Sequence, residues 1–139
     1  MAILDELIRC IDTEGEDSPR AYELVGELTE TQDRSLSPDL VNALRKYVMA
    51  RNPFGRNMIA SAYAEIEGFD ALTILLRASS VEMGNEEDHE TLQSIIVDII
   101  SIDPSRALKV IDELAADPNP RIKSVASWGR EMVAFVAEE

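Results

Sequence analysis

Apolar residues recur along the chain at spacings of three and four positions, which is the period of an amphipathic α-helix. β-Branched residues are scattered through this pattern and do not gather into the alternating segments that are typical of strands. These observations predict an all-α fold. The pattern divides into eight predicted helices, over residues 2–12, 19–32, 38–51, 54–66, 69–82, 88–102, 104–116 and 119–137.

Polar capping residues, proline and glycine mark the ends of several predicted helices. Ser18 and Ser37 each precede a proline, which is the order expected of an N-cap serine and a proline in the first helical turn. Asn52 and Asp103 stand before prolines in the same way, and Gly68 follows the fourth helix at a position suited to a C-terminal stop. The eight helices are therefore expected to pair into four hairpins of roughly 33–36 residues.

The last predicted hairpin has the most distinctive turn, over residues 117–120. Its two prolines cannot continue the preceding helix, and the second is well placed to begin the next one. An aspartate, a proline-containing turn, an aliphatic residue, a basic residue and an alanine form the inter-helix signature of HEAT repeats. That signature is met by Asp117, Pro118, Pro120, Ile122, Lys123 and Ala126. The sequence therefore resembles a HEAT-repeat protein.

The resemblance implies a short right-handed α-solenoid of about four antiparallel helix pairs. One helix of each pair would line a shallow concave surface, and such surfaces bind proteins. With 139 residues and 45% apolar content, the chain is long enough for one core, so we expect a single HEAT-like domain over residues 1–139.

No apolar run approaches the roughly 18 residues of a membrane span, and residues 1–6 lack the features of a signal peptide. We therefore expect a cytoplasmic protein. The single cysteine, Cys10, lies at an apolar position of the first helix, where we expect it to pack in the core.

The net charge of −14 changes the range of partners to be considered. It argues against direct binding to nucleic acid or to an anionic membrane, because both need a basic surface. A basic or polar protein partner fits the charge better, although negative charge also serves solubility alone. Residues 1–33 carry ten acidic and two basic residues, and residues 68–103 carry eight and one. Most of the charge is therefore expected on the first and third hairpins.

Three glutamates of the second helix, Glu23, Glu27 and Glu30, recur at helical spacing and form a predicted acidic stripe. Like charges at this spacing cost roughly 0.2–0.5 kcal/mol per pair, and a basic partner facing them would explain that cost. We take the three as candidate partner-binding residues. A solvated outer face is the alternative interpretation.

A second acidic cluster lies before and at the start of the sixth helix. Glu82, Glu86 and Glu87 are further candidate partner-binding residues. Acidic residues at a helix N-terminus complement the helix dipole, which explains Glu87 but neither Glu82 nor Glu86. The order of oxygen ligands does not match a calcium-binding EF-hand loop.

Trp128 is the only tryptophan and lies on the last helix with Val125 and Met132 at helical spacing. Two interpretations remain open for it. It either packs at the end of the array or anchors a partner from its free side.

Catalysis has little support in the sequence. The only histidine, His89, has no nucleophile at a recognisable spacing, and no phosphate-binding loop or metal-ligand set is present. We therefore expect no catalytic residues, no metal and no cofactor, and a monomer or small homo-oligomer. The predicted function is non-enzymatic recognition of a basic protein, for which bacterial immunity proteins that inhibit basic nuclease toxins offer an analogy. The alternative is a general adaptor or scaffold subunit.

Overall fold

The computed structural model describes residues 2–83 and 86–138, with side chains for residues 3–83 and 89–138. Over these residues the secondary structure is helical and contains no strand, which confirms the predicted all-α class. The α-helices are α1 (Ala2–Glu14), α2 (Pro19–Thr31), α3 (Ser37–Met49), α4 (Pro53–Glu67), α5 (Leu72–Ser79), α6 (Glu86–Ile102), α7 (Pro104–Ala115) and α8 (Pro120–Ala137).

Several helix ends form as the capping residues predict. The side chains of Ser18, Asn52 and Asp103 each accept a hydrogen bond from a backbone N–H in the first turn of the following helix. Gly68 ends α4 with φ of +61°, a conformation that glycine adopts without strain. The prediction for Ser37 is wrong, because α3 already begins at this residue and no side chain caps it. The Ser37 hydroxyl instead donates a hydrogen bond to Glu67.

The fifth helix is shorter than the predicted segment over residues 69–82. A 3₁₀ turn over Gly68–Ala71 precedes α5, which begins at Leu72. Both the turn and the helix bury apolar residues. The spacing of apolar residues is therefore similar in the two, and it does not show where the turn ends and the helix begins.

Helices adjacent in the chain pack as four hairpins, α1–α2, α3–α4, α5–α6 and α7–α8. The second helices of the hairpins are also neighbours, since α2 packs against α4, α4 against α6 and α6 against α8. Buried apolar side chains from all four hairpins form one core. The even-numbered helices thus form a continuous face, and this face carries the site described below.

Side-chain hydrogen bonds between hairpins join neighbouring hairpins wherever the structure describes both partners. They connect residues 31 to 40 positions apart, which is close to one hairpin in length. Asp70 forms such contacts toward both ends of the chain. It accepts hydrogen bonds from Arg34 and from Arg106, each 36 positions away. Each hairpin is therefore tied to the next one by polar contacts as well as by the core.

The turn between α3 and α4 depends on a close approach of the backbone to an aromatic ring. The ring of Tyr47 is buried, and a Cβ atom placed on Gly55 would lie 2.5 Å from two of its carbon atoms. The Tyr47 hydroxyl donates a hydrogen bond of 2.9 Å to Asp12 on the first hairpin. Burial, reinforced by this bond, raises the pKa of Tyr47 well above its ordinary value. Gly55 therefore lets α4 begin directly against a buried, hydrogen-bonded tyrosine.

Within residues 2–83 and 86–138, no helix combines the length and the apolar character needed to cross a membrane.

Candidate functional site

A groove of about 610 Å³ runs along the face made by α2, α4 and α6. Tyr22 and Val25 of α2 lie on one side of it, and the part of α6 from Thr91 to Asp98 lies on the other. The lining of this part comprises Glu16, Tyr22, Val25, Phe54, Asn57, Met58, Ser61, Thr91, Ser94, Ile95 and Asp98.

The capping chemistry of α4 sets the position of the aromatic end of the groove. The Asn52 side chain accepts from the N–H of Gly55 and Pro53 occupies the first turn, so Phe54 is held at the helix start. Its ring meets that of Tyr22 edge to face, with 5.9 Å between ring centroids. Phe54 is partly buried, whereas Tyr22 is 58% exposed. Tyr22 therefore presents an exposed aromatic surface at this end of the groove.

The groove continues into a second depression of about 290 Å³ between the C-terminal halves of α4 and α6. The two depressions share Ser61, Ile95 and Asp98. Beyond them the α4 side consists of the small residues Ala64 and Gly68, together with Glu65. The α6 side ends at Ile102, which is 63% exposed. The combined groove therefore has an exposed apolar residue near each end.

Acidic side chains are distributed along the groove, and basic ones do not line it. Glu16, Asp98 and Glu65 line successive parts of it, and all three are exposed. Among the described residues, none of these three carboxylates forms an ion pair, and the lining of neither depression includes lysine or arginine. The groove therefore combines apolar and uncharged polar side chains with negative charge along its length.

The predicted acidic stripe has a different electrostatic setting. Arg20 lies within 3.1 Å of a carboxylate oxygen of Glu6, of Glu23 and of Glu27. The hydrogen bonds to Glu6 and Glu23 raise the pKa of the Arg20 guanidinium above its ordinary value, and the charge of Glu27 adds to this. The third stripe member, Glu30, is exposed and forms no ion pair with the described residues. Two of the three stripe carboxylates therefore already share a cation within the chain.

The stripe and the groove lie on different sides of α2. Val25 lines the groove, and Glu27 follows it by two residues, which is about 200° around a helix axis. The contact from Arg20 to Glu6 places the stripe on the side that faces α1. One straight partner segment seated in the groove would therefore not reach the stripe.

The second predicted cluster is only partly described. The side chains of Glu86 and Glu87 lie outside the described residues. Glu82 borders a separate depression of about 520 Å³ that is also lined by two arginines, Arg51 and Arg121. Arg51 donates a hydrogen bond of 2.8 Å to the backbone carbonyl of Glu82, and Arg121 lies 3.6 Å from its carboxylate. The charge around Glu82 is therefore mixed, unlike that of the groove.

Trp128 lies on α8, is partly buried and packs against the core. It does not line the groove. Its position favours the packing interpretation, and a contact to a partner from its remaining exposed surface stays a prediction. Phe135, farther along α8, is 56% exposed.

Arg56 and His89 introduce ionisable groups close to the groove. Arg56 of α4 is fully buried, and its Nε donates a 3.1 Å hydrogen bond to the side chain of Asn57. Burial, reinforced by the charge of Arg56, lowers the pKa of the partly buried His89 below its ordinary value of 6.5. The described residues contain no group of three or more histidine, cysteine, aspartate or glutamate side chains arranged to hold a metal ion.

Helical periodicity alone does not predict this groove, because it does not say which face of a helix stays uncovered. Ser61 and Ala64 of α4 and Gly68 directly after it recur at spacings of three and four, and this run of small residues is the signal that could have found the groove. Comparison of the chain with protein-family models, curated proteins and solved structures finds no match. The resemblance to HEAT repeats therefore stays a prediction.

Proposed function

We propose that this protein is a non-enzymatic recognition module that binds a basic partner protein through the groove on α2, α4 and α6. The observation that carries the proposal is the combination of exposed apolar side chains with three carboxylates that have no ion pair among the described residues. Apolar surface supplies affinity, and complementary charge supplies orientation and rate of association. A cationic partner would provide counter-ions that the groove lacks.

We further propose that the four hairpins form a short right-handed HEAT-like solenoid. Packing between successive even-numbered helices and polar contacts between neighbouring hairpins both support this arrangement. In such an array the even-numbered helices would line the concave side. The groove then occupies the surface that solenoid proteins use for binding.

An immunity-type inhibitor of a basic nuclease is the most specific form of the proposal. Carboxylates along the groove would occupy the positions of phosphates on the toxin surface. The large negative charge supports this form, since it would accelerate association with a cationic enzyme at low ionic strength.

The alternative is an adaptor or scaffold whose negative charge serves only solubility. The pairing of Arg20 with Glu6, Glu23 and Glu27 favours it, because the chain stabilises part of its own acidic surface without a partner. Under this alternative, partner affinity would not depend on the carboxylates of the groove.

Two variants with matched charge separate these functions. The groove variant carries Glu65→Lys and Asp98→Lys, and the stripe variant carries Glu23→Lys and Glu27→Lys. In affinity capture at low salt from the native lysate, we expect a basic protein on wild type and on the stripe variant but not on the groove variant. The purified partner should then bind wild type with an affinity that falls as salt is raised.

Circular dichroism and thermal melting should establish that both variants are folded before binding is compared. An unchanged set of partners on the groove variant, with affinity independent of salt, would contradict recognition through the groove. That result would favour the scaffold function.

A further inference from the structure

We infer that the groove accepts a single amphipathic α-helix of the partner, with apolar residues toward the groove and lysine or arginine along both flanks. This inference rests on the proposed function and adds the conformation and the side-chain pattern of the bound segment. It follows from the shape of the groove, the order of its side chains and the charge along it.

The groove follows α4 and α6 and has the length of a short helix. Thr91 and Ile102 mark its two ends on α6, and eleven residues of helix correspond to about 17 Å. Residues of α4 line it in the same order, from Phe54 to Glu65, and Gly68 follows at the end of the helix. A bound helix of about three turns would therefore span the groove between α4 and α6.

The floor of the groove admits the close approach of another helix. Ser61 and Ala64 of α4 and Gly68 directly after it line the α4 side, and Ser94 of α6 lies opposite. These side chains are short, so they leave room for the side chains of an incoming helix between α4 and α6. Apolar contacts are available at three levels, at Tyr22 with Phe54, at Ile95 and at Ile102. These three levels match anchors near i, i+4 and i+11 of a helix, which lie on the same helical face as i+7.

The negative charge along the groove favours basic residues on both flanks of the bound helix. Glu16 lies at the end near Tyr22, Asp98 is shared by the two depressions, and Glu65 lines the second one. Lysine or arginine beside each apolar anchor would meet a carboxylate that has no ion pair among the described residues. An acidic or neutral helix of the same shape would leave these carboxylates uncompensated, so the groove discriminates by charge.

A helix is favoured over an extended segment because its backbone groups are already hydrogen-bonded within the segment. An extended segment gains most when it adds to the edge of a sheet, and the described residues include no strand. The groove offers mainly side-chain contacts, which suit a ligand that presents side chains alone.

Two synthetic peptides of equal composition test this inference. Each has about 14 residues of leucine, lysine and alanine. The helical peptide has leucine at i, i+4, i+7 and i+11, whereas the control has leucine at alternate positions, which cannot share one face of a helix. At low salt we expect the helical peptide to bind wild type at least about tenfold more tightly than the control. Its circular dichroism should show helix gained on binding.

Variants of the protein then locate the bound peptide. The groove variant should weaken binding of the helical peptide at least about tenfold, and the stripe variant should leave it within about twofold. Ile102→Ser should also weaken it, whereas Met49→Ser, which changes an exposed apolar residue outside the groove lining, should not.

The outcomes distinguish the two proposals. Equal binding of both peptides, lost in the groove variant, would overturn the helical ligand and leave charge recognition by the groove intact. Binding that the groove variant does not change would overturn both. Failure of both peptides to bind wild type, while a basic partner protein still depends on Glu65 and Asp98, would overturn the helical ligand alone.

Discussion

The groove and the acidic stripe carry similar numbers of carboxylates but differ in what surrounds them. Two stripe carboxylates, those of Glu23 and Glu27, lie 3.1 Å from the Arg20 guanidinium. In the groove, Asp98 and Glu65 have no ion pair among the described residues and lie beside exposed apolar side chains. The spacing of acidic residues in a sequence therefore reveals a charged surface, but it does not reveal whether basic side chains of the same chain already neutralise that charge.

The two regions also differ in how the protein supports them. The stripe lies on one exposed side of one helix, whereas the groove needs α2, α4 and α6 to keep their relative positions. Changes in the packing beneath α4 should therefore affect the groove more than the stripe.

The largest effect is expected for Gly55→Ala at the start of α4. A Cβ at this position would lie 2.5 Å from the buried ring of Tyr47, so the first turn of α4, including Phe54, must shift. We expect the free energy of unfolding to fall by about 1–3 kcal/mol. Denaturant unfolding monitored by circular dichroism measures this change.

Gly26→Ala is the matched control on α2, because nothing lies within 4 Å of a Cβ placed there. Alanine has a higher helix propensity than glycine, so this variant should gain up to about 1 kcal/mol. Equal stability of the two variants would contradict the close packing of Gly55 against Tyr47.

A smaller effect is expected for Glu67→Gln, which removes a paired carboxylate close to the groove. The Glu67 side chain is 10% exposed, and it accepts a 2.6 Å hydrogen bond from Arg34 and another from Ser37. These contacts, that of Arg34 first, lower the pKa of Glu67 below its ordinary value of 4.5. We expect the variant to lose about 1 kcal/mol of stability at neutral pH.

The stability that Glu67 contributes to the fold depends on pH. A carboxyl group with a lowered pKa in the folded state stabilises the fold above its unfolded pKa and loses that contribution as the pH falls. The difference between wild type and Glu67→Gln should therefore narrow as the pH falls below about 4.5, where unfolded Glu67 becomes protonated. Glu65→Gln, two residues earlier and in the groove, is the matched control, because Glu65 forms no ion pair among the described residues, and it should keep the stability of wild type at neutral pH.

The smallest effect is expected for Arg20→Gln, which removes the cation that Glu6, Glu23 and Glu27 share. The melting temperature should fall slightly at low salt, and the loss should shrink as salt screens the remaining carboxylates. Asp98→Asn in the groove should leave the melting temperature unchanged or raise it. If Asp98→Asn lowered the melting temperature more than Arg20→Gln, the groove carboxylate would be the one that the chain compensates, which contradicts the comparison.

Helices and most of their ends could be predicted from sequence because they depend on local chemistry. Ser18, Asn52 and Asp103 cap the helices that they precede, since an N-cap needs only a polar side chain and a few following residues. Ser37 follows the same pattern but bonds to Glu67, thirty positions away, and no local rule contains that contact.

Apart from the run of small residues along α4, the groove could not be predicted, because its lining comes from helices that are distant in the sequence. Tyr22, Phe54 and Ile95 come from three helices, and each one alone resembles an ordinary core residue. The ion pair between Arg20 and Glu23 in the stripe can be read from the sequence, because Arg20 stands three residues before Glu23 on one helix. Its contact to Glu6 on α1 needed the packing of the first hairpin.

The polar contacts between hairpins have a consequence for how the molecule can change its length. Each such contact in the described residues joins one hairpin to the next, as Asp70 does with Arg34 and Arg106. A hairpin at the end of the array has polar contacts to one neighbouring hairpin only. Its gain or loss would leave the contacts among the remaining hairpins intact. Loss of an internal hairpin would instead remove two sets of contacts. The terminal hairpins are therefore where we expect variation in length to be tolerated, and the groove lies mainly on the two internal ones.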